Sequence, residues 1–221
     1  MSDISKPVIG IIGGTGSLGS GLAKGWARAG HQVIIGSRAA EKAASAAAEL
    51  GFGIEGDSNW AAAAASDIVV LTVPFSNHGA ILGEIKPAVD GKIVVDTTVP
   101  LAPPKVSKVQ LPEGGSAALI TQRLLGETVR VVSAFHTLGA AKLHAGERAD
   151  CDVLVFSDDK GARNTVIALA ELVARRGIGG GSLANSAAAE AMTSVLIWIN
   201  RQCKITGAGI AVTGLEAAQQ A

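Results

Sequence analysis

Short, unbroken apolar runs alternate along this chain with alanine-rich stretches of helical character. The runs are Val8–Ile12, Val33–Ile35, Ile68–Val73, Ile93–Asp96, Val129–Ser133 and Val153–Phe156. They are continuously apolar rather than alternating, the pattern of strands buried on both faces of a parallel sheet. Between them lie helix candidates at Ser17–Ala29, Ala40–Leu50, Asn59–Ala65, Asn77–Glu84, Ser116–Leu125 and Lys160–Arg175. Strand and helix in strict succession predict an α/β, Rossmann-type doubly wound fold with a mostly parallel sheet. The punctuation agrees. Gly30 closes a helix and leads into a strand, Asp90-Gly91 is a turn, and Val99–Pro104 reads as an extended loop. Gly177–Ser182 reads as a hinge or tight loop. It divides residues 1–180 from a small C-terminal helical appendage, 181–221, dominated by a helix at Ser186–Arg201. That helix is apolar over Met192–Ile199, with Trp198 inside, and is expected to pack on the domain or on a second subunit. Its apolar surface exceeds what the appendage needs to cover itself, so a homodimer is expected.

Composition narrows the class. At 221 residues the chain is long enough to bury a core without staples. Charged residues make up 17% and hydrophobic ones 48%, which excludes disorder as the main state. Nineteen basic residues balance nineteen acidic ones, so there is no overall basic field for nucleic acid. Cys151 and Cys203 stand apart, without the spacing of a zinc site or a disulfide framework. The opening apolar run is too short for the core of a secretory signal, and no stretch is long enough to span a membrane. A soluble, cytoplasmic protein is expected.

The chemistry begins after the first strand. Gly14, Gly16 and Gly19 fit GxGxxG in the segment Gly13-Gly-Thr-Gly-Ser-Leu-Gly19. The first glycine allows the tight turn, the second lets a pyrophosphate approach the backbone, and the third lets helix pack on strand. The segment follows a buried strand and opens a helix, the context that dinucleotide binding requires. The end of the second strand then selects the cofactor. An NAD site places a carboxylate there; this chain has Ile35-Gly-Ser-Arg38. Arg38 offers a planar fork of donors to a 2′-phosphate, Ser37 adds a hydroxyl, and Lys42 follows one helical turn later. NADP is therefore the expected cofactor.

Acid–base groups are few. His31 reads as structural, His78 and His144 as surface residues. His136 ends a predicted parallel strand on the ligand-binding edge, where it could orient a substrate, though a backbone-bonded strand-end histidine fits as well. Asp158-Asp159 suits an N-cap, and Asp96 an acceptor that orients the loop after its strand. No nucleophile elbow and no metal-ligand cluster is visible. An NADP site with so few proton-transfer groups suits hydride exchange between two carriers, a step that needs alignment and water exclusion.

Over nearly its whole length the chain resembles the NADPH-dependent coenzyme F420 reductases (F420H2:NADP oxidoreductases). The likeness is carried by Ile11-Ile-Gly-Gly-Thr-Gly-Ser-Leu-Gly19, Ile35-Gly-Ser-Arg38 with Glu41-Lys42, and Val73-Pro-Phe75. It continues through Val95-Asp-Thr-Thr-Val-Pro-Leu101, Ser133-Ala-Phe-His-Thr137, Cys151-Asp-Val-Leu-Val155 and Asn185-Ser186 with Glu190. The resemblance implies that Thr15, Gly16, Ser17 and Leu18 hold the phosphates, and Ser37, Arg38 and Lys42 the 2′-phosphate. It implies that Val73 and Pro74 border the nucleotide, and that Val99, Ala134 and His136 lie near the nicotinamide and the deazaflavin. Gly139 stands where the family commonly has proline, and Ala187, Ala188 and Ala189 replace larger residues, commonly including an arginine. Read without the resemblance, the residues leave open another flavin-like, quinone-like, carbonyl or imine acceptor, and a non-catalytic NADPH sensor.

Overall fold

A computed structural model describes residues 6–215. Six strands form one sheet: β1 (Ile9–Ile12), β2 (Val33–Ser37), β3 (Glu55–Ser58), β4 (Ile68–Leu71), β5 (Ile93–Asp96) and β6 (Arg130–Ser133). Their order is β3-β2-β1-β4-β5-β6, and every pairing is parallel. This is the doubly wound order of a dinucleotide-binding sheet. Its inner strands are buried along their whole length, as their unbroken apolar runs require. A second, two-stranded parallel sheet pairs β7 (Ala149–Val155) with β8 (Ala174–Gly179). It is linked to the first by an antiparallel bridge between Ser133 and Phe156.

The helices are α1 (Ser17–Arg28), α2 (Ala40–Leu50), α3 (Asn59–Ala64), α4 (Phe75–Ile85), α5 (Ala117–Leu125), α6 (Ala140–His144), α7 (Lys160–Glu171) and α8 (Ser186–Cys203). Local chemistry sets several of their ends. Ser58, Ser116 and Asp159 cap α3, α5 and α7 by accepting the N–H three residues on. Asp158 instead accepts from the Leu183 N–H. Helix α1 ends in a Schellman turn, with Gly30 N–H on the Ala27 carbonyl and His31 N–H on that of Trp26. His31 bonds the Pro7 carbonyl, a structural role.

Close packing explains the small residues. A Cβ on Gly10 would lie 2.6 Å from the Ala62 carbonyl, so α3 rests directly on β1. Trp26 is fully buried; its Nε1 donates to the Leu169 carbonyl and its ring meets Phe135 edge-on at 5.8 Å. One side chain thus ties α1, α7 and the segment after β6 together.

One expectation is corrected, and two elements without a sequence signature are added. Gly177–Ser182 is not a hinge: its first half is strand β8, and the helix before it stops at Glu171. Gly177 is needed because a Cβ there would sit 2.6 Å from the Ile167 carbonyl of α7. Strand β3 has no apolar residue in Glu-Gly-Asp-Ser to mark it; it is an outer strand of the sheet, paired with β2 on one side. Helix α6 is the second addition. It packs on α1, where Gly21 leaves room for Leu143.

Helix α8 is buried on one face only. Ala189, Glu190, Ser194 and Leu196 are buried, whereas Met192, Val195 and Trp198 are exposed, Trp198 by 53%. Among the described residues, no helix is long and apolar enough to cross a membrane.

Candidate functional site

The C-terminal ends of the strands form one edge of the sheet, and β1 and β4 are the pair from which the chain winds off in opposite directions. Ligands of open α/β sheets bind at that point. The turn after β1 begins at Gly13, whose φ of +76° belongs to the left-handed region. The N–H groups of Gly13 and Gly14 both donate to the Gly36 carbonyl, locking the turn to β2.

The three glycines of the motif answer to different contacts. A Cβ on Gly14 would lie 2.7 Å from Cβ of Ile35, and one on Gly19 would lie 2.7 Å from both Cα of Gly14 and Oγ1 of Thr72. These two glycines let turn, helix and strand approach one another. Gly16 differs: the nearest atom to its added Cβ is 3.6 Å away, an ordinary contact. The protein's own packing therefore does not require glycine there, and the exposed face of Gly16 borders an open cleft.

Helix α1 starts at this cleft with no side-chain cap. Its first intrahelical bond runs from Ser20 N–H to the Gly16 carbonyl, so the N–H groups of Ser17, Leu18 and Gly19 precede the hydrogen-bonded ladder. Three orphan donors at the positive end of a helix dipole make an anion cradle.

Thr15, Gly16, Ser37, Arg38, Lys42, Val73 and Pro74, all expected from sequence, line this one cleft. Arg38 and Lys42 are exposed, and among the described residues neither is paired with a carboxylate. The cleft also holds Thr72, Asn77 and Asn59, which the sequence reading missed. Asn59 begins α3 beside the end of β2, since Ser58 pairs with Ser37. It is 98% buried by its 2% exposure, yet its Oδ1 has no hydrogen-bond partner.

Val99, Ala134 and His136 sit farther along the same edge, after β5 and β6. Ala134 is fully buried, backbone included, and its N–H donates to the Asp96 carbonyl, so in this form it opens onto no cleft. His136 is 6% exposed; its Nε2 lies 3.1 Å from Ser133 Oγ, and its carbonyl accepts from Thr193 Oγ1 at 3.0 Å. Burial lowers its pKa to about 4 despite the neighbouring Asp96 charge, so the ring is neutral near pH 7. Phe135 before it has φ +69°, an uncommon conformation for a bulky residue, held by its packing on Trp26.

Beneath these residues is a buried polar hub. Asp96, with no exposure, accepts from the Thr98 N–H at 2.8 Å and from Thr121 Oγ1 at 2.5 Å, and pairs with His78 Nε2 at 2.9 Å. Burial alone would raise the Asp96 pKa; the hydrogen bond and charge of His78, with the bonds from Thr121 and Thr98, hold it below the usual carboxylate range. Asp96 orients its loop as expected. His78, however, is not a surface residue: it is 2% exposed and reaches inward from α4. His144 is exposed and bonds Ser20 Oγ.

Helix α8 is docked by polar contacts as well. Glu190 accepts from the N–H groups of Ala117 and Ala118, adding a second cap to α5 from another element. Burial raises its pKa to about 7, against the pull of those two N–H groups. Ser186 Oγ meets Ser116 Oγ at 2.8 Å. Gly139 lacks the Cβ that would come within 2.6 Å of Gly207, so glycine there lets the segment after α8 close over the loop.

A doubly wound parallel sheet with an uncapped glycine loop at its switch point defines a nucleotide-binding Rossmann protein. Comparison with known proteins narrows this further. The family described as "NADP oxidoreductase coenzyme F420-dependent" matches residues 8–100. The F420-dependent NADP reductase of Methanothermobacter thermautotrophicus is 39% identical over 220 residues, covering 94% of this chain and 95% of that protein. That of Methanocaldococcus jannaschii is 39% identical over 222 residues, covering 94% and 99%. The chain belongs to the F420-dependent NADP reductase family. Among solved structures, one from an Arthrobacter species (strain FB24) superposes with a TM-score of 0.78 at 24% identity, over 95% of this chain and all of that one. A pyrroline-5-carboxylate reductase from Coxiella burnetii gives 0.63 at 20% identity, over 96% and 70%. At such identities these two show the fold.

The glycine geometry makes a prediction. Gly16→Ala should fold with stability within about 1 kcal/mol of the parent, the scale of a weakened N-cap, yet bind NADPH at least about tenfold more weakly. Gly19→Ala should instead unfold at clearly lower urea. Urea melts beside NADPH titrations check both; an unchanged affinity in Gly16→Ala would remove the cleft as the nucleotide site.

Proposed function

We propose that this protein is an oxidoreductase that transfers a hydride between NADP(H) and coenzyme F420, the deazaflavin lying against the nicotinamide. The observation that carries the proposal is family membership along 94% of the chain, joined to an uncapped glycine loop facing Arg38 and Lys42. The residues fit the nucleotide: donors without partners stand where a pyrophosphate needs them, two cations and a hydroxyl stand where a 2′-phosphate needs them, and no acid opposes it. NADPH supplies the hydride and the oxidised deazaflavin takes it up with one proton, giving NADP+ and the reduced deazaflavin.

Each residue's part is one of holding and shaping. Thr15, Gly16, Ser17 and Leu18 hold the phosphates, the N–H groups of Ser17, Leu18 and Gly19 serving as donors, and Gly14 and Gly19 set the loop by packing. Ser37, Arg38 and Lys42 take the 2′-phosphate, while Val73 and Pro74 border the nucleotide. Val99, Ala134 and His136 shape the region where the two rings meet. His136, neutral and held by Ser133 and Thr193, positions rather than exchanges protons. Residues 1–180 form the NADP-binding unit in this reading, and 181–221 supply a wall of the second pocket. The exposed stripe Met192, Val195 and Trp198 is the contact between two copies in a homodimer. The protein is cytoplasmic in this reading.

Four outcomes follow. Purified protein should oxidise NADPH with F420 and scarcely with NADH; turnover with other flavins or imines but not F420 would move it to another acceptor. In that assay Arg38→Ala should cost NADPH roughly 10–150-fold, the worth of a charge-assisted contact, and leave NADH almost untouched. An unchanged preference would displace the 2′-phosphate site.

For His136→Ala, kcat should fall by less than about 100-fold, below the upper range of general acid–base catalysis. His136→Asn should recover part of the loss. Because the folded pKa is about 4, His136 stays neutral as pH falls from 8 to 5, so single-turnover hydride transfer from deuterated NADPH should lack a step near pH 6.5. A loss above about 1000-fold with a vanishing pH dependence would make His136 an acid–base catalyst. Light scattering at micromolar concentration should give the mass of a dimer, and Trp198→Glu that of a monomer; a monomeric parent would dismiss the α8 contact.

A further inference from the structure

After α8 the chain turns back on itself. Residues 205–212 lie along β7 as a strap with no helix or strand of their own. Asp152 of β7 grips this strap. Its N–H donates to the Ile210 carbonyl at 2.8 Å, and its Oδ2 accepts from the Val212 N–H at 2.7 Å. Arg175 and Arg176 both bond the same carboxylate, and Arg176 also donates to the Val212 carbonyl. Asp152 has no exposure, and a buried carboxylate persists only with partners of this kind. The bonds from Arg176, joined by those from Arg175 and Val212, hold its carboxyl well below the usual carboxylate range against the cost of burial. The grip therefore stays charged at neutral pH.

The strap's other contacts fall on the loop that follows His136. A Cβ on Gly139 would come within 2.6 Å of the Gly207 Cα. One on Gly209 would lie 2.5 Å from the Cys151 Cβ and 3.8 Å from the Thr137 carbonyl oxygen. Gly139 has φ −71° and ψ 94°, values open to any residue, so glycine there serves the approach of the strap. The Ala208 N–H donates to Asn200 Oδ1 at 2.9 Å, joining the strap to α8. The loop's internal bond, from the Leu138 N–H to the Phe135 carbonyl, is long at 3.4 Å. The loop is instead clasped from outside, by Thr193 at the His136 carbonyl and by the strap at Thr137 to Gly139.

We propose that Asp152 is a positioning residue for hydride transfer: it holds the strap against Thr137 to Gly139, and the strap holds His136 in line with the two carriers. The inference rests on the hydride-transfer reading above.

Two measurements on the full chain test it. The first, hydrogen exchange read by mass spectrometry, needs no turnover. In Asp152→Asn, peptides covering 205–212 and 137–139 should both exchange about tenfold faster than in the parent, the worth of one hydrogen bond, while 13–19 keeps its protection. Arg175→Gln loosens the same carboxylate from a part-exposed partner; it should show the same paired loss and serves where Asp152→Asn does not fold. Faster exchange of the strap alone, or a loss that spreads to 13–19, would overturn the proposal.

The second is kinetic. Gly139→Ala forces the strap contact open without touching Asp152. It should bind NADPH within about twofold of the parent by calorimetry, yet slow single-turnover hydride transfer to F420 about tenfold, within the range that a small misplacement costs. In a His136→Ala background the same substitution should change the rate by less than about twofold, because it acts through a side chain already removed. An unchanged rate in Gly139→Ala, losses that multiply in the double variant, or an equal loss of NADPH affinity would overturn the proposal. Unpaired exchange in an active enzyme would strike the strap's role alone, whereas a parent that passes no hydride to F420 would overturn the reading on which it rests.

Discussion

The rest of the structure depends on how closely α1 seats against the start of β1's turn and the end of β4. Gly19 touches Gly14 and Thr72 at distances that no side chain would permit. That contact fixes the direction of α1, and with it the aim of three orphan N–H groups and the positive end of the helix dipole at the switch point. The same contact leaves Gly16 facing outward with space above it. The anion cradle is thus a by-product of helix–sheet packing, and it costs the fold little to keep it bare.

A second constraint holds the far end of the cleft. The Asp96 carboxylate is wholly buried, so it must be bonded on every side. It takes His78 from α4, Thr121 from α5 and the Thr98 N–H from its own loop, and thereby joins three elements under the segment that carries Val99. Glu190 does a similar service from α8, capping α5 with a second buried carboxylate. Between them, α5 is clamped at its start and its middle. The His136 segment is pinned from α8 through Thr193. The C-terminal helix is therefore joined to the sheet edge that carries His136, and its other face carries the exposed apolar stripe. In the proposed dimer, assembly and the second pocket would share one helix.

Much of this was legible without coordinates. Unbroken apolar runs can be satisfied only by burial on both faces, which dictates parallel strands and their crossover helices. The spacing of Gly14, Gly16 and Gly19 after such a run, and the absence of an acid at Ser37-Arg38, speak through local chemistry and need no knowledge of distant residues. Strand β3 was not legible, because an outer strand of polar residues has no periodic signature; only the exposed edge of β2 turns it into a strand. Gly177 likewise looked like a breaker, while its purpose is to let β8 pass under α7.

The sequence by itself determined the fold class, the glycine loop and the cationic end of the cleft, since each arises from residues close together in the chain. Tertiary structure decided what depends on burial. It turned His78 from a surface residue into the partner of Asp96, made His136 neutral, brought Glu190 to the start of a helix some seventy residues away, and left the Asn59 Oδ1 buried without a partner. The physical reason is that the environment of a polar group, its desolvation and its partners, is set by elements remote in sequence. No local pattern records it.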